Sequence, residues 1–421
     1  MVSVLEKAIE LLGWAFFAFY FYQMAYIVVS LLKKPKERMA EKKHHFGVLI
    51  SARNEELVIG QLIHSIRQQN YPQDLVDIYV VADNCTDNTA QVAREAGAVV
   101  YERFNQELVG KGYALNELLR NIDRDYTLEH CDGYFVFDAD NVLDENYIAH
   151  MNNTFDSGYR VITSYRNSKN YDSNWISAGY ALWFLREARY LNQARMTLGT
   201  SCFVSGTGFL VNTEIFRENG GWIHHLLTED IEFSTDTILK GEIIGYNRKA
   251  VLYDEQPVTF KDSWNQRLRW SKGFYQVFFH YGKRLTGKVT RGSFSAYDML
   301  MTLAPGMLVS AVLLPLGLVM ILMGLTADVY TLREMQPLIQ RVLYYVVQSY
   351  FMLVAMGGLT VITEWKNIHC KGYKKILYLF TFPIFMYTYL PISVVALVKK
   401  IEWKPIRHSV VRDVRDIRMP N

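Results

Sequence analysis

Cysteine is scarce in this chain: Cys85, Cys131, Cys202 and Cys370 are all it has, far apart and without a C-x-x-C pair. That spacing supports neither a cysteine metal site nor a disulfide framework and leaves reduced, buried or idle thiols. Excess charge is lacking too. A net charge of +3 over 421 residues, with no basic stripe interleaved with aromatics, excludes nucleic acid as a partner. Two phosphate-binding signatures are also missing. Gly110-Lys111-Gly112 lacks the upstream glycine and the following Ser/Thr of a P-loop, and Gly206-Thr207-Gly208 is not a dinucleotide fingerprint.

What is present is apolar length. Half the residues are hydrophobic, yet 21% are charged, the mixture of a polytopic protein with a large water-facing portion. Leu11–Leu32 carries no charge over 22 residues, enough to cross a bilayer core. A signal peptide would need a basic start and a shorter apolar core. Here the basic cluster comes after the apolar stretch: Lys33, Lys34, Lys36, Arg38, Lys42 and Lys43. The positive-inside rule puts the N-terminus outside and the chain beyond Leu32 in the cytoplasm. Met299–Leu325 and Val342–Ile362 can also cross, joined by a connection with a single basic residue, Arg333. Ile376–Val398 is apolar but interrupted by Pro383 and Pro391. A crossing there would carry the basic tail (Lys399, Lys400, Lys404, Arg407, Arg412) outside. An interface or re-entrant placement keeps it inside and is the expected one.

Between residues 45 and 260 the pattern is that of an α/β domain. Phe46–Ser51 reads as a buried strand, Glu55–Gln69 as a helix and Asp77–Ala82 as the next strand. Thr86 or Asp87 can cap a helix ending before Gly97, and Ala98–Tyr101 and Tyr134–Phe137 read as further strands. Such spacing implies βαβ units in a largely parallel sheet, with ligands bound beyond the carboxyl ends of the strands. Three polar clusters fall there: Ser51 to Glu56, Asp83 to Asp87, and Asp138-Ala139-Asp140.

The carboxylates carry the chemistry. Asp138 and Asp140 flank Ala139, a pattern that suits a hard divalent cation, although a lone D-x-D is commonly a polar strand end. Glu229-Asp230 opens a helix over Ile231–Leu239, where acidic residues favour the positive end of the dipole, and either carboxylate can serve as a base. His224 and His225, being adjacent, do not share a helix face and read as surface or packing residues. Gln266-Arg267-Leu268-Arg269-Trp270 lies on an amphipathic stretch before the membrane, where arginine and tryptophan also serve as ordinary anchors.

Taken in order, SARNEE, ADNCTDNT, GKGYALN, DAD, SGTGFLV, LTED and QRLRW resemble the membrane-bound family 2 glycosyltransferases, which include cellulose, hyaluronan and poly-N-acetylglucosamine synthases. The likeness covers roughly residues 46–290 well and the membrane part more loosely. It implies an α/β GT-A (nucleotide-diphospho-sugar transferase) domain with transmembrane and interface helices. The expected layout is a transmembrane helix and basic flank (1–44), a cytoplasmic GT-A domain (45–260) and interface helices bearing QRLRW (261–298). Two transmembrane helices (299–363) and an interface segment with a cytoplasmic gating-like tail (364–421) complete it, in a multi-pass protein of the plasma membrane.

By the same resemblance Ala52, Arg53, Glu55 and Asp83 would contact uridine, Lys111 would sit near the nucleotide and Asp138 against the donor. Asp140 would ligate Mg2+ or Mn2+. Asp230 would be the general base with Glu229 beside it, and Arg269 would neutralise charge on departing UDP. Gly206, Thr207 and Gly208 would line the acceptor site, with Gln266 and Trp270 holding the acceptor sugar. The tail lacks F-x-V-T-x-K. Its Trp403-Lys404-Pro405-Ile406-Arg407-His408 resembles the W-x-x-R gating loop of hyaluronan-synthase-like enzymes with one extra residue, so Trp403 and Arg407 would cover bound nucleotide. Lipid binding by a basic tail is the plainer alternative.

Three functions are compatible with these features. The leading one is a processive synthase that elongates a β-linked polysaccharide, a β-glucan from UDP-glucose being favoured, and passes it across the membrane. The second is a non-processive lipid glycosyltransferase similar to ceramide glucosyltransferase, or a poly-N-acetylglucosamine or hyaluronan type of synthase using UDP-GlcNAc. A nucleotide-sugar-binding protein without catalysis is the third, and it has no need of a base at Asp230. Three crossings are few for a polymer channel, so either interface segments complete it or several chains form a homo-oligomer around one.

Overall fold

The computed structural model describes residues 2–33, 35–303, 308, 332–401, 406 and 408–419. Its centre is an eight-stranded sheet in the order β3-β2-β1-β4-β7-β6-β8-β5. The strands are β1 (Phe46–Ala52), β2 (Val76–Asp83), β3 (Val99–Arg103), β4 (Gly133–Asp138), β5 (Val142–Leu143), β6 (Val161–Ser168), β7 (Phe209–Asn212) and β8 (Ile244–Asp254).

Alternation along the central strands explains why they are strands. Val48 and Ile50 of β1 enter one apolar cluster with Ile78, Val80, Phe135 and Phe137. Leu49 enters the other with Tyr79, Val81, Tyr134 and Val136. Successive side chains on a strand face opposite ways, so a two-sided sheet needs apolar residues at every position. Helix Lys111–Tyr126 covers the second face through Ala114, Leu115, Leu118, Leu119 and Ile122. Helices Ile59–Arg67 and Tyr147–Asp156 cover the first. Each fully buried aliphatic or aromatic side chain contributes roughly 1.5–3 kcal/mol, so a charged residue at Val48 or Leu49 would undo the layer it enters.

The sheet is mixed but largely parallel, as expected: β6 and β8 pair in parallel, and among the described strands β5 and β7 are the reversed ones. β3, β2, β1 and β4 are parallel, but β7 runs antiparallel to both β4 and β6, and β5 antiparallel to β8. Only the first half is built from βαβ crossovers. β7 ends at Asn212, whose side chain accepts from the Glu214 N–H and caps the next helix.

Two helix starts differ from expectation. The first helix begins at Ile59 rather than Glu55, because Glu55–Val58 forms a turn closed by the Ile59 N–H on the Glu55 carbonyl. The second begins at Thr89, not after Thr86 or Asp87, and Asp87 instead accepts from the Thr89 N–H and hydroxyl. Glu229–Lys240 extends the expected helix by its acidic pair.

Among the described residues, three helical stretches are long and apolar enough to cross a membrane: Gly13–Leu32, Val342–Thr363 and Gly372–Val398. The expected crossing over Met299–Leu325 lies mostly outside the described residues. Pro383 sits within helix Gly372–Tyr387, which is followed after Thr388 by helix Tyr389–Val398. Against it packs helix Trp175–Arg186, so closely that a Cβ on Gly179 would come 2.4 Å from Phe385. Arg195 and Asp298, both almost fully buried, form a two-pronged ion pair that also takes the hydroxyls of Tyr22 and Tyr26, tying the first apolar helix to the domain. A buried charge pair of this kind is tolerated because every lone pair has a partner.

Candidate active site

The loops after β1 and β2 are sewn together. Asn54 and Asn84 adopt left-handed backbone, at φ 59° and 51°. The Thr86 N–H donates to Asn54 Oδ1 at 2.8 Å and the Glu55 N–H to Thr89 Oγ1 at 2.8 Å. Ala52 is buried at the strand end. Arg53 follows it in the same loop. Asp83 is buried and paired with Arg103 at 2.6 Å, and it also accepts from Asn84. Arg103 had no signal in the sequence; it reaches Asp83 only because β3 pairs with β2.

Lys111, at the start of its helix, donates to Asp138 Oδ1 and, at 2.6 Å, to the Gly206 carbonyl. Burial works against the ammonium, but the carboxylates of Asp138, Glu229 and Asp230 outweigh it and hold the lysine pKa above its usual value. The Asp138 N–H donates to Thr207 Oγ1, whose hydroxyl donates to Asn141 Oδ1. Gly208 is at φ 66°, and a Cβ there would lie 1.8 Å from Leu252. Only glycine fits this crossing of β7, β6 and β8.

Glu229 and Asp230 open a helix beside this group. Burial and the neighbouring Asp230 raise the Glu229 pKa to about 7, against Lys111 and Arg269, which lower it. Burial likewise raises Asp230. A Cβ on Gly206 would be 3.8 Å from Asp230 Oδ2, so the glycine turn faces the candidate base. Arg269 donates to the Leu227 carbonyl at 3.2 Å from the helix Phe260–Val289. Trp270 stands edge-on to Tyr180, centroids 5.7 Å apart, and packs on Phe184. The side-chain oxygen of Gln266 is buried without a hydrogen-bond partner. Arg267, by contrast, is fully buried and donates to the Phe385 carbonyl and Thr388 Oγ1. It joins the motif to the apolar helix.

Asp140 sits in a nest of charges. Its Oδ2 accepts from the Glu255 N–H at 2.9 Å, and although burial would raise its pKa, His408, Lys169 and Arg166 keep it low. Asp254 beside it is pushed up to about 6 by burial, even with Arg166 paired to it. Lys169 is buried with no hydrogen-bond partner on its ammonium, and burial lowers its pKa despite Asp140, Glu255, Asp254 and Glu55 around it. His408, from the C-terminal tail, binds Glu55 at 2.9 Å. Burial would lower its pKa, but Asp140 and Glu55 raise it to about 10. Ser409 and Val410 then donate backbone N–H groups to Glu255.

Sequence pattern assigns no role to Lys169, Glu255, Asp254 or His408. No spacing rule links them, because they come from the ends of β6 and β8 and from a tail far away in sequence. Trp403 and Arg407 lie outside the described residues. His225 stacks on Tyr113 at 4.2 Å and His224 is buried 3.5 Å from Asp236, so the histidine pair packs and does not chelate.

The sequence profile described as "Glycosyltransferase like family 2" matches residues 44–273, more than half of the chain. A beta-monoglucosyldiacylglycerol synthase of Nostoc sp. is 27% identical over 269 residues, covering 61% of this chain and 54% of that protein. A poly-beta-1,6-N-acetyl-D-glucosamine synthase of Staphylococcus aureus is 25% identical over 269 residues, covering 63% and 62%. The chain thus spans little more than half the length of the curated relatives it matches. Among solved structures, a mannosyltransferase of Pyrobaculum calidifontis in complex with GDP-Man and Mn2+ superposes with a TM-score of 0.56. The identity is 16%, with 94% of this chain and 99% of that one covered, a likeness that establishes the GT-A-like fold.

Proposed function

Since this chain belongs to glycosyltransferase-like family 2, we propose that it transfers a hexose, with inversion, from a UDP-sugar to an acceptor hydroxyl at the membrane surface. One observation carries the reading: a Glu229–Asp230 pair, the first buried and the second partly so, faces the Gly206 turn near two cations, Lys111 and Arg269. A base that must be a carboxylate at rest and take a proton in the reaction needs such a setting.

In this mechanism Asp230 removes the proton from the acceptor hydroxyl while that oxygen attacks the anomeric carbon of the donor. The bond to the diphosphate breaks on the opposite face, and its electron pair leaves with UDP. Arg269 and Lys111 oppose the charge that develops there. Ala52, Arg53, Glu55 and Asp83 form the uridine side, with Asp138 against the donor. Gly206 to Gly208, Gln266 and Trp270 form the acceptor side.

The cluster around Asp140 fits a divalent cation. The Asp140 carboxylate is kept ionised, Glu55, Asp254 and Glu255 lie near it, and the unpartnered Lys169 ammonium is free to meet phosphate charge. Asp140 would hold Mg2+ or Mn2+ with the donor's diphosphate oxygens. When bound, the ion neutralises charge on the leaving group.

For the acceptor, the favoured reading is a growing β-linked polysaccharide, with UDP-glucose as donor. A glycolipid acceptor is the second reading. It is supported by the tie of Arg267 and Tyr180 to Phe385, in a helical stretch long and apolar enough to cross a membrane. The basic residues after Leu32 support a cytoplasmic catalytic domain in a multi-pass membrane protein.

Purified full-length protein given UDP-glucose or UDP-GlcNAc with Mg2+ or Mn2+, with lipid and oligosaccharide acceptors, tests this. UDP release with a polymeric product supports the favoured reading, and a single-sugar lipid product the second. Absence of UDP release with every donor and acceptor overturns both.

A further inference from the structure

At the end of the sheet opposite the candidate active site, three donors from separate segments converge. His45 immediately precedes β1, Asp77 is the second residue of β2 and His130 lies just before β4. These are three adjacent parallel strands, with Phe46 level with both Val76 and Gly133. Asp77 Oδ2 is 2.9 Å from His45 Nε2 and 3.2 Å from His130 Nε2. One ligand atom from each residue lies within 4.8 Å of the others.

We infer that His45, Asp77 and His130 form a binding site for a zinc-class divalent cation, separate from the diphosphate site. Two imidazoles and one carboxylate are the donor set that zinc and its neighbours prefer over Mg2+. Tetrahedral ligands at about 2.0–2.1 Å from an ion stand roughly 3.3 Å apart, so the nitrogen-to-oxygen distances need change by only a few tenths of an ångström. Simple hydrogen bonding explains one imidazole on Asp77, but the second imidazole comes to the same oxygen from another loop. The two rings meet at 4.6 Å, tilted by 68°.

Access and support are both present. Side-chain exposure is 46% at His130, 37% at Asp77 and 20% at His45, so an ion enters from solvent and water completes its shell. The His45 backbone N–H is held by Asp132 at 3.0 Å, which also takes the ring of His44. An ion here would clamp β1, β2 and the loop before β4 where the linker from the first apolar helix enters the domain. It takes no part in the transfer reaction, so the inference does not depend on the proposed function.

Zinc titration by calorimetry on the full-length protein in detergent tests it, with Asp140→Asn and His45→Gln/His130→Gln variants in parallel. Glutamine keeps a hydrogen-bond donor toward Asp77, and an unchanged zinc-free melting temperature certifies the fold. The expected result is one zinc equivalent lost in the double glutamine variant but retained in Asp140→Asn. Zinc should raise the melting temperature of Asp140→Asn by a few degrees and leave the double variant unmoved. Should the double variant bind as many equivalents as the unaltered protein, or should Asp140→Asn bind none, the inference is wrong. If the zinc-free double variant melts well below the unaltered protein, Asp77→Asn decides in its place: retention of the zinc equivalent refutes the site and loss supports it.

Discussion

His408 and Glu55 are separated by 353 residues, yet the histidine Nδ1 lies 2.9 Å from the Glu55 carboxylate, with the Asp140 charge close by. The tail therefore packs against the residues proposed for the donor site. Arg412 continues it toward Asp172 and Arg418 toward Asp144.

Replacing His408 by alanine leaves Glu55 and Asp140 short of a cation. UDP affinity in the presence of Mn2+ should fall about tenfold, equivalent to ~1.4 kcal/mol, with the melting temperature little changed. Calorimetry with UDP and Mn2+ measures this, and unchanged affinity would detach the tail from the donor site.

Asp230→Asn should abolish transfer, by about 10²–10⁴-fold in turnover, while UDP binding survives. Loss of both would indicate that the residue holds the structure and does not act on the substrate.

The same pair sets a pH dependence. Burial and repulsion from Asp230 raise Glu229 to about 7, and burial raises Asp230 as well. The proposed base acts as a carboxylate, so turnover should climb with rising pH as the pair loses its protons. Repulsion is reciprocal, so Glu229→Gln lowers the Asp230 pKa and moves the acid limb to lower pH. A rate profile from pH 5 to 9 reads the shift.

Lys169 offers a buried ammonium without a partner. In Lys169→Ala, affinity for UDP should weaken about tenfold while that for uridine stays the same, because only the diphosphate calls on the missing charge. Equal weakening of both would place Lys169 in the framework.

Glu37, in the linker, accepts from Asn153 and Asn247 and pairs with His150 and Lys249. Burial alone would raise its pKa, yet these partners bring it from 4.5 down to about 2. A depressed pKa stabilises the fold above about 4.5 and the contribution fades as pH falls toward 2. Glu37→Gln should therefore lower the melting temperature at pH 7 by a few degrees and by less at pH 3, as thermal melts at both values will show.

Periodicity and motif order made much of this chain legible. The runs at Phe46, Asp77 and Tyr134 are apolar at nearly every position, which only a two-sided sheet rewards, and their polar ends marked the cleft. Asp138, Asp140, Glu229 and Asp230 stood out because polar clusters recur at successive strand ends and in the order of the family motifs, although each alone also serves as a strand end or helix start. The antiparallel β7 and the late start of the helix at Ile59 were not legible. β7 is only four residues long, and Glu55–Val58 is turned by contacts with Thr89 and Asp87 across the cleft.

By itself, then, the sequence determined the membrane-crossing lengths, the α/β core and the carboxylates of the cleft, because each is written in local pattern. Only the tertiary structure decided which charges meet. Lys169, Glu255 and His408 converge on Asp140, and His45 and His130 on Asp77, through strand pairing and chain return. Such proximity depends on register between distant segments, and no local spacing encodes it.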